Sequence, residues 1–328
     1  MPTGSSSLNL KKAAPSNISI IFPIFDPIKT SNQNHYTLAL SKIWTGSDQY
    51  ICDPELAQAF HIARTLGMPL LIEGEPGTGK TELPIQYAKE QNLPLFTYPV
   101  GSKSNVEQFV AKFDHVKYLR DSQIEVLNAQ RTERGLDPLS SGGRSTENLD
   151  DYVLMGPAAK AFSNPHSVLL IDEIDKAPRE FPNDLLFALS HRQFVLPESG
   201  KIIEVSEENM PAIVITSNRE QELPTAFKGR CIYHYISFPD PPMMEKIVKK
   251  HFPTIEGVLL EKSISLFYQL RNIGLERAPA TREILHWLKY LHNFPIEEAI
   301  KKIDNKEGMG VLIKSQMDLK KIKQRYNV

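Results

Sequence analysis

Apolar residues along this chain change their spacing near position 240, and that change divides it. Before it, short apolar runs bounded by glycine or proline alternate with stretches of helical period. "DPELAQAFHIARTLG" (53–67) carries apolar residues at helical spacing, with Asp53 placed to cap the helix and Pro54 at its first position; Gly67 ends it. "MPLLIEG" follows as a short buried strand, then a helix over 81–91 and a strand "PLFTYPV" (94–100). "VLLIDEID" (168–175) and "PAIVITSN" (211–218) are further buried strands, and "PREFPNDLLFALSHRQ" (178–193) is a helix between them. Strands alternating with helices predict an α/β fold, a parallel sheet covered on both faces. "HRQFVLPESGKIIEVS" (191–206) breaks the alternation with two β-prone runs around "PESG", a hairpin pattern.

Beyond Pro239 only amphipathic helices are expected: "PPMMEKIVKKHF", "GVLLEKSISLFYQLRNIG" and "ATREILHWLKYLHNF". The pattern therefore divides the chain into an arm (1–45), an α/β domain (46–239) and an all-helical domain (240–328). The arm mixes Ser, Asn, Pro and Thr with one β-prone piece, "ISIIF", and is expected to be loosely ordered. The final basic segment, "LIKSQMDLKKIKQRY", is expected as a surface helix, its basic end either a solvated face or a grip on nucleic acid or an acidic partner.

Composition changes this picture little. The 328 residues carry a net charge of -1, which offers no global positive field for nucleic acid or an anionic membrane. Two cysteines without paired spacing fit a reducing cytosol and exclude a disulfide framework. No apolar run is long enough to span a bilayer, and "KKAAPSNISIIFPIF" (11–25), interrupted by proline, reads as non-targeting, so a cytoplasmic location is expected. The nine histidines show no metal-ligand spacing.

Chemistry concentrates first in "GEPGTGKT" (74–81), which meets the P-loop pattern at every fixed position, with a strand before it and a helix after. Gly74, Gly77 and Gly79 let the backbone curl so that N–H groups point at phosphate oxygens, and the helix N-terminus faces the same charge. Glu75, Pro76, Thr78 and Glu82 complete the expected nucleotide-contacting segment. Lys80 supplies an ammonium for the β- and γ-phosphates, and Thr81 a hydroxyl for Mg2+.

Asp172 and Glu173 end an apolar strand, on the edge of the sheet where the P-loop lies. Asp172 suits a hold on Mg2+, and Glu173 can polarise an attacking water. Asn218 ends the next strand and can orient that water, although Asn also simply favours turns.

The P-loop, "LLIDEID", the polar strand end "TSN" and the helical domain behind them resemble an AAA+ ATPase over residues 50 to 290. Within that superfamily "YICDPELAQAF", "MGPAAKAFSNPHSVLLIDEIDKAPREFPNDLLFALSHRQF" and "LPTAFKGRCIYHYISFP" are similar to the MoxR-like branch. The resemblance implies ATP and Mg2+ as ligands and Asn218 as the sensor-1 residue. It also implies an arginine finger in "AFKGRC", Arg230 beside Lys228, that reaches a neighbouring subunit's γ-phosphate; an arginine there can equally cap the helix. Arg282, at the start of a lid helix, falls where sensor 2 is expected, although MoxR-like members often carry a different polar residue there. Residues 101–165 then correspond to an insertion in the helix after the second strand, and 191–206 to a pre-sensor hairpin, both facing a ring's pore. An ordinary surface loop is the other reading of 135–150.

The implied function is a chaperone-like ATPase, a homo-oligomeric ring expected to be a hexamer, that remodels a protein client with a von Willebrand factor A domain partner. Two alternatives are a nucleic-acid-directed motor or restriction-type NTPase, which the near-neutral charge disfavours, and a nucleotide-gated oligomerisation switch in a bacterial defence or signalling system.

Overall fold

In a computed structural model that describes residues 42–140, 142–206 and 209–326, five parallel strands form the central sheet. They are Leu70–Gly74 (β1), Leu95–Pro99 (β2), Val168–Asp172 (β3), Ala212–Ser217 (β4) and Ile232–Ile236 (β5), in the order β5-β1-β4-β3-β2. Helices Pro54–Leu66 (α1), Glu82–Glu90 (α2), His115–Glu133 (α3), Pro157–Phe162 (α4) and Glu180–His191 (α5) accompany it. Most of the expected arm (1–45) lies outside the described residues.

The two-residue period of the strands sorts their side chains into two cores. Leu70, Ile72, Val168 and Val214 pack under Leu56 and Phe60 of α1 and Leu83 and Tyr87 of α2. Leu71, Leu169, Ile171, Ile213 and Ile215 pack on the other face with α4 and α5, around Phe162, Phe181 and Leu185. Burial on both faces is why these strands read as unbroken apolar runs. Helix α1 begins and ends as its residues dictate: Asp53 accepts from the N–H of Glu55 at 2.9 Å, and Gly67 takes the left-handed conformation at φ 60°.

The pattern did not announce β5, "IYHYI". It is the sheet's edge, and its alternating tyrosines and histidine give it no continuous apolar run. The hairpin around "PESG" is present, with Val195 opposite Ile202.

The insertion has regular structure at its two ends, while the described residues of 135–148 form an irregular surface stretch with no helix or strand, as the loop alternative expects. A two-stranded antiparallel ribbon, Ala111–Phe113 with Val153–Met155, brackets it, and α3 fills its first half. The rest is pinned to α3 by polar contacts. Arg144 Nε donates to Asp121 Oδ2 at 2.8 Å, Thr146 N to Glu125 Oε1 at 3.1 Å, and Leu139 N to the Asn128 side-chain Oδ1 at 2.6 Å. Asp121 is fully buried, and its hydrogen bond from Arg144 holds its carboxyl below the usual carboxylate range. Such contacts between polar residues leave no apolar period to read.

From Pro241 onward the chain is helical: Pro241–His251 (α6), Gly257–Arg271 (α7), Thr281–Leu291 (α8), Ile296–Asp304 (α9) and Gln316–Tyr326 (α10). They share a separate core in which Trp287 and Phe267 are fully buried. Among the described residues no helix is long and apolar enough to cross a membrane.

Candidate functional site

The carboxyl ends of β1, β3 and β4 lie side by side in the sheet, which is where a parallel α/β fold gathers its ligand-binding residues. β1 runs into the glycine turn and then α2. Gly77 and Gly79 hold φ of 79° and 90°, values that a side chain would strain, and they turn the loop back on itself. The Lys80 ammonium is buried and donates to the backbone oxygens of Gly74 at 2.9 Å and Glu75 at 2.8 Å. Burial draws its pKa down, against the opposing pull of Asp175, Asp172 and Glu173. The amine thus rests on its own loop, where phosphate oxygens can take it over.

Thr81 donates its hydroxyl proton to Asp172 Oδ1 at 2.9 Å, and Thr216, from β4, donates to the same oxygen at 2.6 Å. The Thr81 oxygen keeps its lone pairs for a cation. Glu173, one residue past the strand, sits in the left-handed region at φ 59°, which costs a non-glycine residue roughly 1–2 kcal/mol. Its N–H is held by the Thr216 hydroxyl at 2.9 Å. One Glu173 oxygen accepts from the Asn218 side-chain amide at 3.3 Å, and the other pairs with the Lys176 ammonium at 2.7 Å. That pairing raises the pKa of Lys176. Buried Asp175 accepts from the N–H groups of Asn218 and Glu220 at 3.0 and 2.9 Å, which fixes the end of β4.

The lid completes a cleft of about 590 Å³, within the range of small-molecule sites. Arg282, His251 and His286 line its helical wall; Tyr50 and Ile51 line its far end. The lid is tied down by Arg271, which pairs with Glu75 Oε2 at 2.8 Å and donates to the Pro279 carbonyl at 2.6 Å. Its guanidinium also lies 3.4 Å from the centre of the Phe238 ring.

The structure therefore gathers residues 76–82, Asp172, Glu173, Asn218 and Arg282 around one cleft. Arg230 stands outside it. It is exposed and donates to the Ala226 carbonyl at 3.0 Å and the Ser190 hydroxyl at 3.1 Å, so the helix-capping geometry is realised in this conformation. Sequence reasoning missed Thr216, Lys176, Tyr50 and Arg271. Thr216 was within reach, because it shares a strand face with Asn218 two residues on. Arg271 gave no local signal.

Mg2+ fits the donor set. Thr81 and Asp172 would hold it as one hydroxyl and one carboxylate, the sparse protein contribution usual for an ion shared with phosphates and water.

A phosphate-cradling turn with a hydroxyl–carboxylate pair and a polar strand end, all on one parallel sheet, defines a P-loop nucleoside-triphosphate-binding domain. Residues 69–231 match the family model described as "AAA domain (dynein-related subfamily)", and this segment of the chain is an AAA domain with a helical region behind it. No curated protein matches the chain.

Proposed function

We propose that the chain hydrolyses ATP with Mg2+ and works as a homo-oligomeric ring, of MoxR-like character, that remodels a protein client. The observation that carries this reading is the placement of Glu173 and Asn218 beside the phosphate turn, 3.3 Å from each other, with Arg230 outside the cleft on the surface. Lys80 would neutralise phosphate charge and Thr81 and Asp172 would hold the metal ion, which supplies charge neutralisation on the phosphates. Glu173 would take the proton of the attacking water while Asn218 orients it. Arg230, leaving its Ala226 and Ser190 contacts, would complete a neighbour's site, and Arg282 would meet the phosphates from the lid. A partner with a von Willebrand factor A domain belongs to this reading through the MoxR-like resemblance alone.

The test is steady-state ATP turnover of the wild type and Glu173→Gln, with nucleotide affinity measured alongside. Turnover is expected to fall at least about 100-fold with affinity retained; unchanged turnover overturns the assignment.

A second reading is a slow, nucleotide-gated oligomerisation switch. It is favoured by one observation: both Glu173 oxygens are engaged, by Asn218 and by Lys176. Assembly of Glu173→Gln on ATP alone, with full output and no turnover, would select it.

A further inference from the structure

Glu73 is charged, only 3% exposed, and used by none of the chemistry above. It is the last residue before the first glycine of the phosphate turn. Its side chain emerges on the sheet face opposite Ile72, beside the edge strand β5, where Tyr235 is its register partner. A carboxylate in such a place costs several kcal/mol unless charges and hydrogen bonds meet it.

They do, and their origin is informative. Lys228 Nζ lies 3.4 Å from Oε1, Arg219 Nε lies 3.6 Å from Oε2, and Tyr233 donates its hydroxyl to Oε2 at 3.1 Å. Arg219 directly follows Asn218, and Lys228 is two residues before Arg230. The connection from β4 to β5 begins at Asn218, the residue that holds Glu173, and carries Arg230 one residue before its end. Both of its ends are therefore tied to one buried carboxylate on the phosphate strand. Arg219 is itself held in the left-handed region at φ 63°, with its guanidinium 5.7 Å from the centre of the Tyr235 ring.

We propose that Glu73 is a positioning residue that couples the subunit's own phosphate turn to its own Arg230, so that nucleotide bound in one site sets the finger offered to the next. This rests on the reading of Arg230 as a finger given in trans. Movement of β1 on nucleotide binding is passed through the Glu73 carboxylate to Lys228 and Arg219, and so to the segment between them. Glu73 thus serves the neighbour's reaction and not its own.

Mixed assemblies separate the two. Glu173→Gln subunits bind nucleotide without turning it over and keep an intact finger; Arg230→Ala subunits have a working site and no finger. Their mixture should regain ATP turnover that neither has alone. Adding Glu73→Gln to the Glu173→Gln subunit, the finger donor, should cut the regained turnover about tenfold, as expected of a misplaced reacting group. Adding it to the Arg230→Ala subunit, which bears the working site, should leave turnover within about twofold, the scatter of independent substitutions. A purely structural role would lower both arms equally, and that result overturns the proposal, as does a donor arm that loses nothing. If Glu73→Gln does not fold, Arg219→Gln, whose side chain is 62% exposed, takes its place with the same expected asymmetry. No rescue by the parent mixture overturns the shared-site reading and this proposal with it; a rescued parent with equal arms overturns the proposal alone.

Discussion

The Thr81 hydroxyl donates to the Asp172 carboxylate at 2.9 Å across a sequence separation of 91 residues. That bond joins the phosphate turn to the end of β3, and Thr216 locks it by donating to the same oxygen while accepting from the Glu173 N–H. One hydroxyl on β4 thus sets both acidic residues. In Thr216→Val the shape survives and both bonds are lost. Turnover is expected to fall about 10- to 100-fold, with nucleotide affinity nearly unchanged, because misplacement of catalytic groups is felt in the reaction more than in binding. Paired kcat and calorimetric Kd measurements check it; an equal loss in both would assign Thr216 to binding.

Arg271 connects the helical lid to Glu75 while stacking on Phe238. Arg271→Ala frees the lid from the phosphate turn. Nucleotide affinity is expected to weaken by about 5- to 30-fold, the usual size of a coupling between elements that share a ligand. A fluorescent nucleotide titration reads this directly, and an unaltered Kd would show that the lid needs no such tie.

Asp121 and Arg144 give the insertion a pH dependence whose sign is fixed. The folded carboxyl titrates below its ordinary value of 3.8, so its contribution is fully present above that value and is lost as pH falls through the lower folded one. Hydrogen exchange of residues 142–152 should therefore be slow at pH 5 and accelerate, relative to β3, at pH 3. In Asp121→Asn the segment should exchange fast at both. A segment that stays protected in Asp121→Asn would show that the ion pair does not hold it.

Trp287 is fully enclosed in the lid's core. Trp287→Ala leaves a cavity there and is expected to cost about 3–5 kcal/mol, by the usual scale for aromatic truncation. The loss should appear as an early unfolding phase of the lid in urea, ahead of the sheet, when far-ultraviolet circular dichroism is followed. Single-step unfolding with an unchanged midpoint would contradict it.

Much of the core was readable because buried parallel strands leave a continuous apolar trace: "MPLLIEG", "VLLIDEID" and "PAIVITSN" contain β1, β3 and β4 and overrun them by two or three residues. The glycine turn was readable because its pattern has fixed positions. What stayed hidden was of another kind. β5 is an edge strand whose tyrosines face outward, and Tyr233 is 49% exposed. The insertion is held by a buried Asp121 and its arginine, and a polar contact across 23 residues leaves no period. The tie from Arg271 to Glu75 spans 196 residues and exists only once the lid has folded back. Local pattern reports burial and turns; it does not report which distant side chains meet.

Gly77 carries one more consequence. A methyl group built on it would lie 2.4 Å from the Ala280 Cβ of the lid, far inside any tolerable contact. The second glycine of the turn is therefore constrained twice, by the anion it curls around and by a neighbour some two hundred positions further along the chain. A lineage could change residue 77 only by first reshaping the lid, even in a descendant that had ceased to bind nucleotide. The turn's inheritance is tied to the helical region as closely as to its ligand.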